Sequence, residues 1–310
     1  MVKEDRISVG VVGVGHLGRL HASKYAASPK ADLVAVADID TGRSLEVGRS
    51  LGVPGFKDYR DLLGKVRCVS IAVPTLLHYE ITRAFLSEGI DVLVEKPMTA
   101  TLQEGEGLVT LAREKNSILQ VGHLERFNPA VRRLEGVIHD PRFIECHRLA
   151  PFVERGTDVD VVLDLMIHDI DVISSLVRSP VDRVEAVGVP ILTDKPDIAN
   201  ARIRFANGCI ANVTSSRVSM KRERKVRFFQ SDAYISLDYD QKRAQIYRKT
   251  GTGKGLDSII GETVELQDGD ALADEIESFL EVVRNRGVPV VSGEEGLKAL
   301  KIASMVSEQL

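Results

Sequence analysis

The chain has 310 residues, 44% of them hydrophobic and 28% charged, which suits a globular protein of two domains and excludes disordered, collagen-like and low-complexity classes. A net charge of −4, from 41 basic and 45 acidic residues, and 5% aromatics without Trp disfavour duplex and single-stranded nucleic acid as partners. No run reaches the ~20 apolar residues of a membrane span, the start shows no signal core, and Cys68, Cys146 and Cys209 form no cluster, so a cytoplasmic protein without disulfides, resident metal or membrane contact is expected.

In chain order, residues 7–13 read as a buried strand and 17–27 as a helix. A strand over 33–37 and a helix over 41–51 follow. Strands over 68–73 and 91–94 enclose a helix over 76–88, and a helix over 102–115 leads into a strand over 118–121. Short β-branched runs separated by helices of this length predict parallel strands with helical crossovers. Their continuous apolar character fits a sheet covered on both faces. After residue 124 the pattern changes. A helix over 129–138 and a strand over 143–150 precede a long helix over 159–177, and strands dominate from 181 to 266. Asn207-Gly208 between two alternating runs predicts a hairpin, and the Gly-rich run 250–255 a mobile loop. Helices over 271–286 and 294–308 close the chain. The expected architecture is an α/β Rossmann domain with a parallel sheet over 1–124. An α+β domain with an open, mainly antiparallel sheet follows over 125–310, the terminal helices being free to pack back on the first domain.

Gly13-Val14-Gly15-His16-Leu17-Gly18 stands where a strand turns into a helix. There the first glycine permits the tight turn, the second lets the backbone approach a pyrophosphate, and the third allows close helix–strand packing. The helix N-terminus offers unpaired N–H groups to the phosphates. Asp38 ends the second strand about twenty residues on, where a carboxylate binds ribose hydroxyls and repels a 2′-phosphate. NAD is therefore expected over NADP, with Arg43 the nearest cation able to alter that preference.

A second signal lies on the helix over 159–177. At ~100° per residue, Asp160, Asp164, His168 and Asp171 share one face of an otherwise apolar helix, and Asp169 lies on another. Buried carboxylates need partners, so the stripe lines a cavity, an interface or a hydrogen-bond network. Three readings stand open: a metal site, a satisfied structural network, and acid–base chemistry, the last because oxidising an alcohol also requires removal of a proton. Glu95-Lys96-Pro97 directly follows the fourth strand, at the carboxyl end of the sheet where ligands bind.

These motifs, in this order, resemble the Gfo/Idh/MocA family, the relatives of glucose–fructose oxidoreductase and inositol dehydrogenase. The resemblance covers essentially the whole chain. It implies that Lys96, Asp164 and His168 are catalytic: His168 the acid/base, Lys96 polarising the hydroxyl, Asp164 orienting the pair. It also places Pro74, Thr75 and His78, in the loop after the third strand, along the cofactor with Glu95. Gly122-His123-Leu124-Glu125-Arg126-Phe127-Asn128-Pro129, taken with 164–171, resembles the branch acting on UDP-N-acetylglucosamine. That branch oxidises the 3-hydroxyl to a 3-keto group for lipid A synthesis, and Arg126 and Asn128 would then meet the substrate. The basic run 217–227, with Lys221, Arg222, Arg224 and Lys225, is either a diphosphate site or a charged strand edge. A homodimer or homotetramer is implied by the same likeness. The alternatives are a dehydrogenase of a free sugar or polyol such as inositol, a metal-dependent lyase, and a non-enzymatic NAD(H) sensor.

Overall fold

The computed structural model describes residues 6–153, 159–251, 255, 258–265 and 269–310. Of the Gly-rich run expected as a loop, residues 252–254 lie outside the described residues. The chain forms two units, Met1–Phe127 with Asp270–Leu300, and Asn128–Gly269 with Lys301–Leu310.

In the first unit β1 (Ile7–Val12), β2 (Ala31–Ala37), β3 (Gly55–Phe56), β4 (Cys68–Ile71), β5 (Asp91–Glu95) and β6 (Leu119–Gly122) make one parallel sheet, ordered β3-β2-β1-β4-β5-β6. Helices α1 (His16–Ala27), α2 (Thr41–Leu51), α3 (His78–Ser87) and α4 (Leu102–Glu114) are the crossovers. Their ends are marked by local chemistry. Asp40 accepts from the Arg43 N–H at the start of α2, Gly52 ends it at φ 74°, and Thr101 and Glu104 form a reciprocal capping box on α4. Sequence order reverses across β1 and β4, so their carboxyl ends flank the crevice where an open α/β sheet takes ligands.

The helix α7 (Ala271–Asn285) belongs to this unit. It sets Ile276, Phe279, Leu280 and Val283 into one core with Val9, Val11, Ala22, Tyr25 and Val36. Each such burial contributes ~1.5–3 kcal/mol before entropy is counted. Strand β3 was not expected, because two residues cannot display a period. Strand β4 is shorter than expected, closing at Ile71.

The second unit carries α5 (Pro129–Glu135), β7 (Pro141–Leu149), α6 (Ile167–Val177), β8 (Val181–Val189), β9 (Ile198–Phe205), β10 (Ile210–Ser216), β11 (Glu223–Gln230), β12 (Ala233–Asp238), β13 (Arg243–Lys249) and β14 (Ile259–Glu265). α8 (Gly293–Ser307) closes the chain, its last residues falling in this unit. The strand order is β14-β13-β12-β11-β7-β10-β9-β8, antiparallel throughout except where β7 meets β10. Strand β9 shows why one face is covered: Ala199, Ala201, Ile203 and Phe205 are buried, while Asn200, Arg202 and Arg204 between them are exposed. The Asn207-Gly208 hairpin forms. Its turn closes through Gly208 N–H to the Phe205 carbonyl, with Gly208 at φ 87° and no positive φ at Asn207. That pattern is a type I turn followed by a left-handed glycine.

Three expectations change. Helix α5 stops at Glu135, with Gly136 as its C-cap. Strand β11, carrying Arg224, Lys225 and Arg227 of the basic run, is no edge: it lies between β12 and β7. Arg227 lies 2.6 Å from Glu145 and Lys225 3.7 Å from Asp238, with Arg222 before the strand 3.1 Å from Asp240. Arg217 is buried and bonds Asp197 at 2.8 Å and the Val159 carbonyl at 3.0 Å, so it serves the fold rather than a diphosphate. Finally, the polar helix opens with a π-helical turn over Val162–Met166.

Candidate active site

At the glycine-rich turn two steric demands are explicit. Gly13 sits at φ 81°, and a Cβ on Gly18 would fall 1.7 Å from the Gly13 carbonyl oxygen. No larger residue fits either position. Gly15 is different: a Cβ there would meet nothing within 4 Å. The protein itself does not require glycine at that position, which suits a cradle through which a pyrophosphate approaches the backbone. Gly15 is also the N-cap of α1 with no side-chain cap, whereas Asp40, Thr101 and Asp270 cap α2, α4 and α7. The first amides of α1, with His16 and Leu17 exposed beside them, are thus left to an anion.

Asp38 is buried, and its Oδ2 accepts the Val14 N–H at 2.9 Å while Oδ1 accepts the Asp40 N–H at 2.9 Å. The carboxylate is therefore fixed against the glycine-rich turn. Arg43 Nη1 reaches both oxygens at 3.3 and 3.2 Å from a half-exposed side chain, a longer pair that ribose hydroxyls can displace. Ile39 and Leu76, exposed apolar residues beyond β2 and β4, escaped the motif reading. The available signal was an exposed apolar side chain in the segment that follows a parallel strand, at the carboxyl end of the sheet.

In the loop after β4, Pro74 is exposed and Thr75 buried. His78 is 1% exposed, its Nδ1 lying 2.7 Å from the Pro97 carbonyl and its Nε2 2.9 Å from that of Val73. It therefore joins the loop after β4 to the turn after β5. In that turn Lys96 is half-buried, and its backbone N–H donates to Glu95 Oε2 at 3.3 Å. Glu95 Oε1 takes His21 Nε2 at 3.0 Å. Burial pushes the Glu95 carboxyl up, but the His21 hydrogen bond, with Lys96 and His78 close by, outweighs it and holds the group below its usual value.

Arg126 lies 3.8 Å from Glu295 and is 11% exposed, so little of it faces solvent. The Asn128 side chain accepts the Ala130 N–H at 3.0 Å and caps α5.

On the second unit, the π-helical turn breaks the even spacing assumed for the polar stripe. Asp160 lies before the helix and accepts the N–H groups of Val162 and Leu163 at 2.9 and 3.0 Å. Asp164 is on the π turn, and His168 follows in the first turn of α6; both are half-buried. Asp171 is 2% exposed and leaves the accessible set. Asp169 faces elsewhere, as the spacing indicated, and forms a buried two-point pair with Arg148 at 2.7 and 2.8 Å. The first unit thus holds Lys96 with the dinucleotide features, and the second holds Asp164 and His168. An imidazole can exchange a proton with a hydroxyl, and an ammonium can polarise one.

Comparison with known proteins places this geometry. The family described as oxidoreductase family, NAD-binding Rossmann fold, matches residues 7–123, and the GFO/IDH/MocA C-terminal domain matches residues 130–251. The chain belongs to the Gfo/Idh/MocA oxidoreductases. Its first domain is NAD-binding, and the protein is a dehydrogenase of the class that acts on CH–OH groups. This Gfo/Idh/MocA chain is 40% identical over 300 residues to UDP-N-acetylglucosamine 3-dehydrogenase of Acidithiobacillus ferrooxidans, covering 96% of itself and 95% of that protein. A solved structure of the A. ferrooxidans protein superposes with a TM-score of 0.93 at 38% identity, over 98% of this chain and 97% of that one. The scyllo-inositol 2-dehydrogenase (NAD(+)) of Bacillus subtilis is 27% identical over 311 residues, 93% of this chain and 90% of the relative.

Proposed function

We propose that this oxidoreductase oxidises the 3-hydroxyl of UDP-N-acetylglucosamine to the 3-keto sugar. The observation that carries the reading is the 40% identity, over 96% of the chain, to a UDP-N-acetylglucosamine 3-dehydrogenase. The 122–129 segment after β6 supports it. NAD, when bound, accepts the hydride. The chain's residues do the rest. The amides at the start of α1 hold the pyrophosphate, and Asp38 binds ribose hydroxyls. Lys96 binds and polarises the reacting hydroxyl. His168 takes its proton, and Asp164 sets the imidazole's orientation and proton affinity. Arg126 and Asn128 serve the substrate. Arg126 does so by exchanging its long contact with Glu295, and Asn128 through whatever its capping role leaves available.

The reading extends to the protein's setting. The 3-keto product is what an aminotransferase needs in building amide-linked lipid A, and a cytoplasmic setting belongs to the same reading. No described helix is long and apolar enough to cross a membrane. The organisation into a dinucleotide domain over 1–124 and a substrate domain over 125–310, with the terminal helices returning to the first, belongs to the same proposal. So does a homodimer or homotetramer, for which exposed Val187, Val189, Ile191 and Leu192 at the β8 edge offer apolar surface.

The second reading is a polyol dehydrogenase, favoured by the inositol enzyme among the relatives. The separating experiment is NADH formation from UDP-N-acetylglucosamine and from scyllo- and myo-inositol, with the 3-keto product trapped by a carbonyl reagent to pull the equilibrium. Turnover confined to the UDP-sugar supports the proposal; turnover confined to inositols replaces it with the second reading.

A further inference from the structure

A buried polar chain lies behind the Glu95-Lys96 turn, and the roles above leave it unused. Glu275, on α7, is fully buried, and neither of its carboxyl oxygens has a hydrogen-bond partner among the described residues. Its ligand-forming oxygen, one from Glu95 and a ring nitrogen of His21 all lie within 4.8 Å of one another. On the other side, His21 Nδ1 is 3.3 Å from Ser70 Oγ, and Ser70 Oγ is 2.7 Å from the hydroxyl of fully buried Tyr25.

Two adjoining carboxylates cannot both stay ionised here. Glu95 already receives the His21 Nε2–H and the Lys96 backbone N–H, whereas a charged Glu275 would have no donor among the described residues. An unpaired charge in such a place costs several kcal/mol, and the group takes up a proton instead. We propose that Glu275 is an uncharged carboxylic acid that donates its O–H to Glu95, and that it thereby positions the Glu95-Lys96 turn. Burial pushes the Glu275 carboxyl well above the usual range, and the charge of Glu95 pushes it further. The Glu275 and Glu95 oxygens lie within 4.8 Å of each other, with the proposed proton set between them. Glu95 then accepts from Glu275, His21 and Lys96 together, and its carboxylate is locked from three sides. Gly122 leaves the room for this, since a Cβ there would come 3.1 Å from the Glu95 carboxyl carbon.

Among the described residues, the charged and titratable groups around this site are His21 and Tyr25 from α1, Cys68 from β4, Glu95 at the end of β5 and Lys96 after it, and His78 from α3. The 3₁₀ turn Leu124–Phe127, which packs on α7, brings Glu125 and Arg126. None of them supplies Glu275 with a hydrogen bond, so a proton on Glu275 itself is what satisfies it.

The positioning role rests on the proposed part of Lys96 in turnover; the shared proton rests on the buried geometry alone. Infrared difference spectra of wild type against Glu275→Gln test the proton: the wild type should show one extra protonated-carboxyl C=O band at neutral pH. Absence of that band, or a stoichiometric divalent metal in elemental analysis of the purified protein, overturns the proposal, because a metal would need Glu275 ionised. Kinetics test the positioning. Glu275→Gln keeps an uncharged donor and should retain kcat and its pH profile. Glu275→Ala should lose between about ten- and a hundred-fold in kcat, with the NAD dissociation constant unchanged. Equal loss in both variants, or no loss in either while the band is present, overturns the positioning role. Failure of Lys96→Ala to reduce turnover would instead sink the reading on which that role rests.

Discussion

In the proposed reaction the proton chemistry is assigned to Lys96 and His168, and both are half-buried. Replacing either with Ala should cut turnover by on the order of 10²-fold while leaving NAD binding intact, as steady-state rates and cofactor titration would show. Wild-type rates in both variants would remove them from the reaction. Asp38 has a different signature, because its carboxylate is held by the Val14 and Asp40 amides and touched by Arg43. In Asp38→Ala the carboxylate is gone and Arg43 is released toward the ribose. NAD should bind on the order of tenfold more weakly, the loss of about one charge-assisted bond pair, and the preference over NADP should narrow or reverse. Fluorescence titration with both reduced cofactors measures this.

At the scale of elements, the sequence displayed what periodicity and turn chemistry can encode. The strands β1, β2, β5 and β6, helix α2, and the hairpin at Gly208 all stand within a residue or two of where the pattern puts them. Interactions between distant residues with no local pattern stayed hidden. Arg148 and Asp169 look like unrelated charges in sequence, yet they join β7 to α6 as a buried two-point pair. The π turn over Val162–Met166 also escaped, because uniform 100° steps assume an α-helix; Asp160 precedes it and bonds its first amides, while Asp164 and His168 are half-buried on and after it. Glu275 gave a signal that passed unread: it occupies the same row of α7 as Phe279 and Val283, where the spacing calls for an apolar side chain. The Arg148 pair makes the testable case. Asp169→Ala leaves a guanidinium buried without its counter-charge and should lower the unfolding free energy by ~3–5 kcal/mol. Removing both partners with apolar residues of similar volume should recover much of that loss, as urea denaturation of the single and double variants would reveal.

Across the whole molecule, stability should depend on acid in a definite direction. Asp197 is buried, and its carboxylate accepts the N–H groups of Ile191, Leu192 and Thr193 at 2.6–2.9 Å, together with Arg217. Burial pushes its carboxyl up, but those four donors outweigh it and hold it well below the usual carboxylate range. A carboxyl whose folded value lies below its unfolded one, about 3.9, stabilises above that pH and loses its contribution as pH falls through and beyond it. Urea midpoints recorded from pH 7 down to pH 3 should therefore fall more steeply for wild type than for Asp197→Asn. The substrate claim also belongs to the whole molecule, because the likeness to the UDP-N-acetylglucosamine enzyme spans both domains. Its most direct test is calorimetric titration of UDP-N-acetylglucosamine into the NADH-saturated protein, with UDP and inositol as controls, since binding does not depend on an unfavourable oxidation equilibrium. The account predicts tight binding of the UDP-sugar, weaker binding of UDP and none of inositol. Inositol binding with both uridine ligands silent would contradict it.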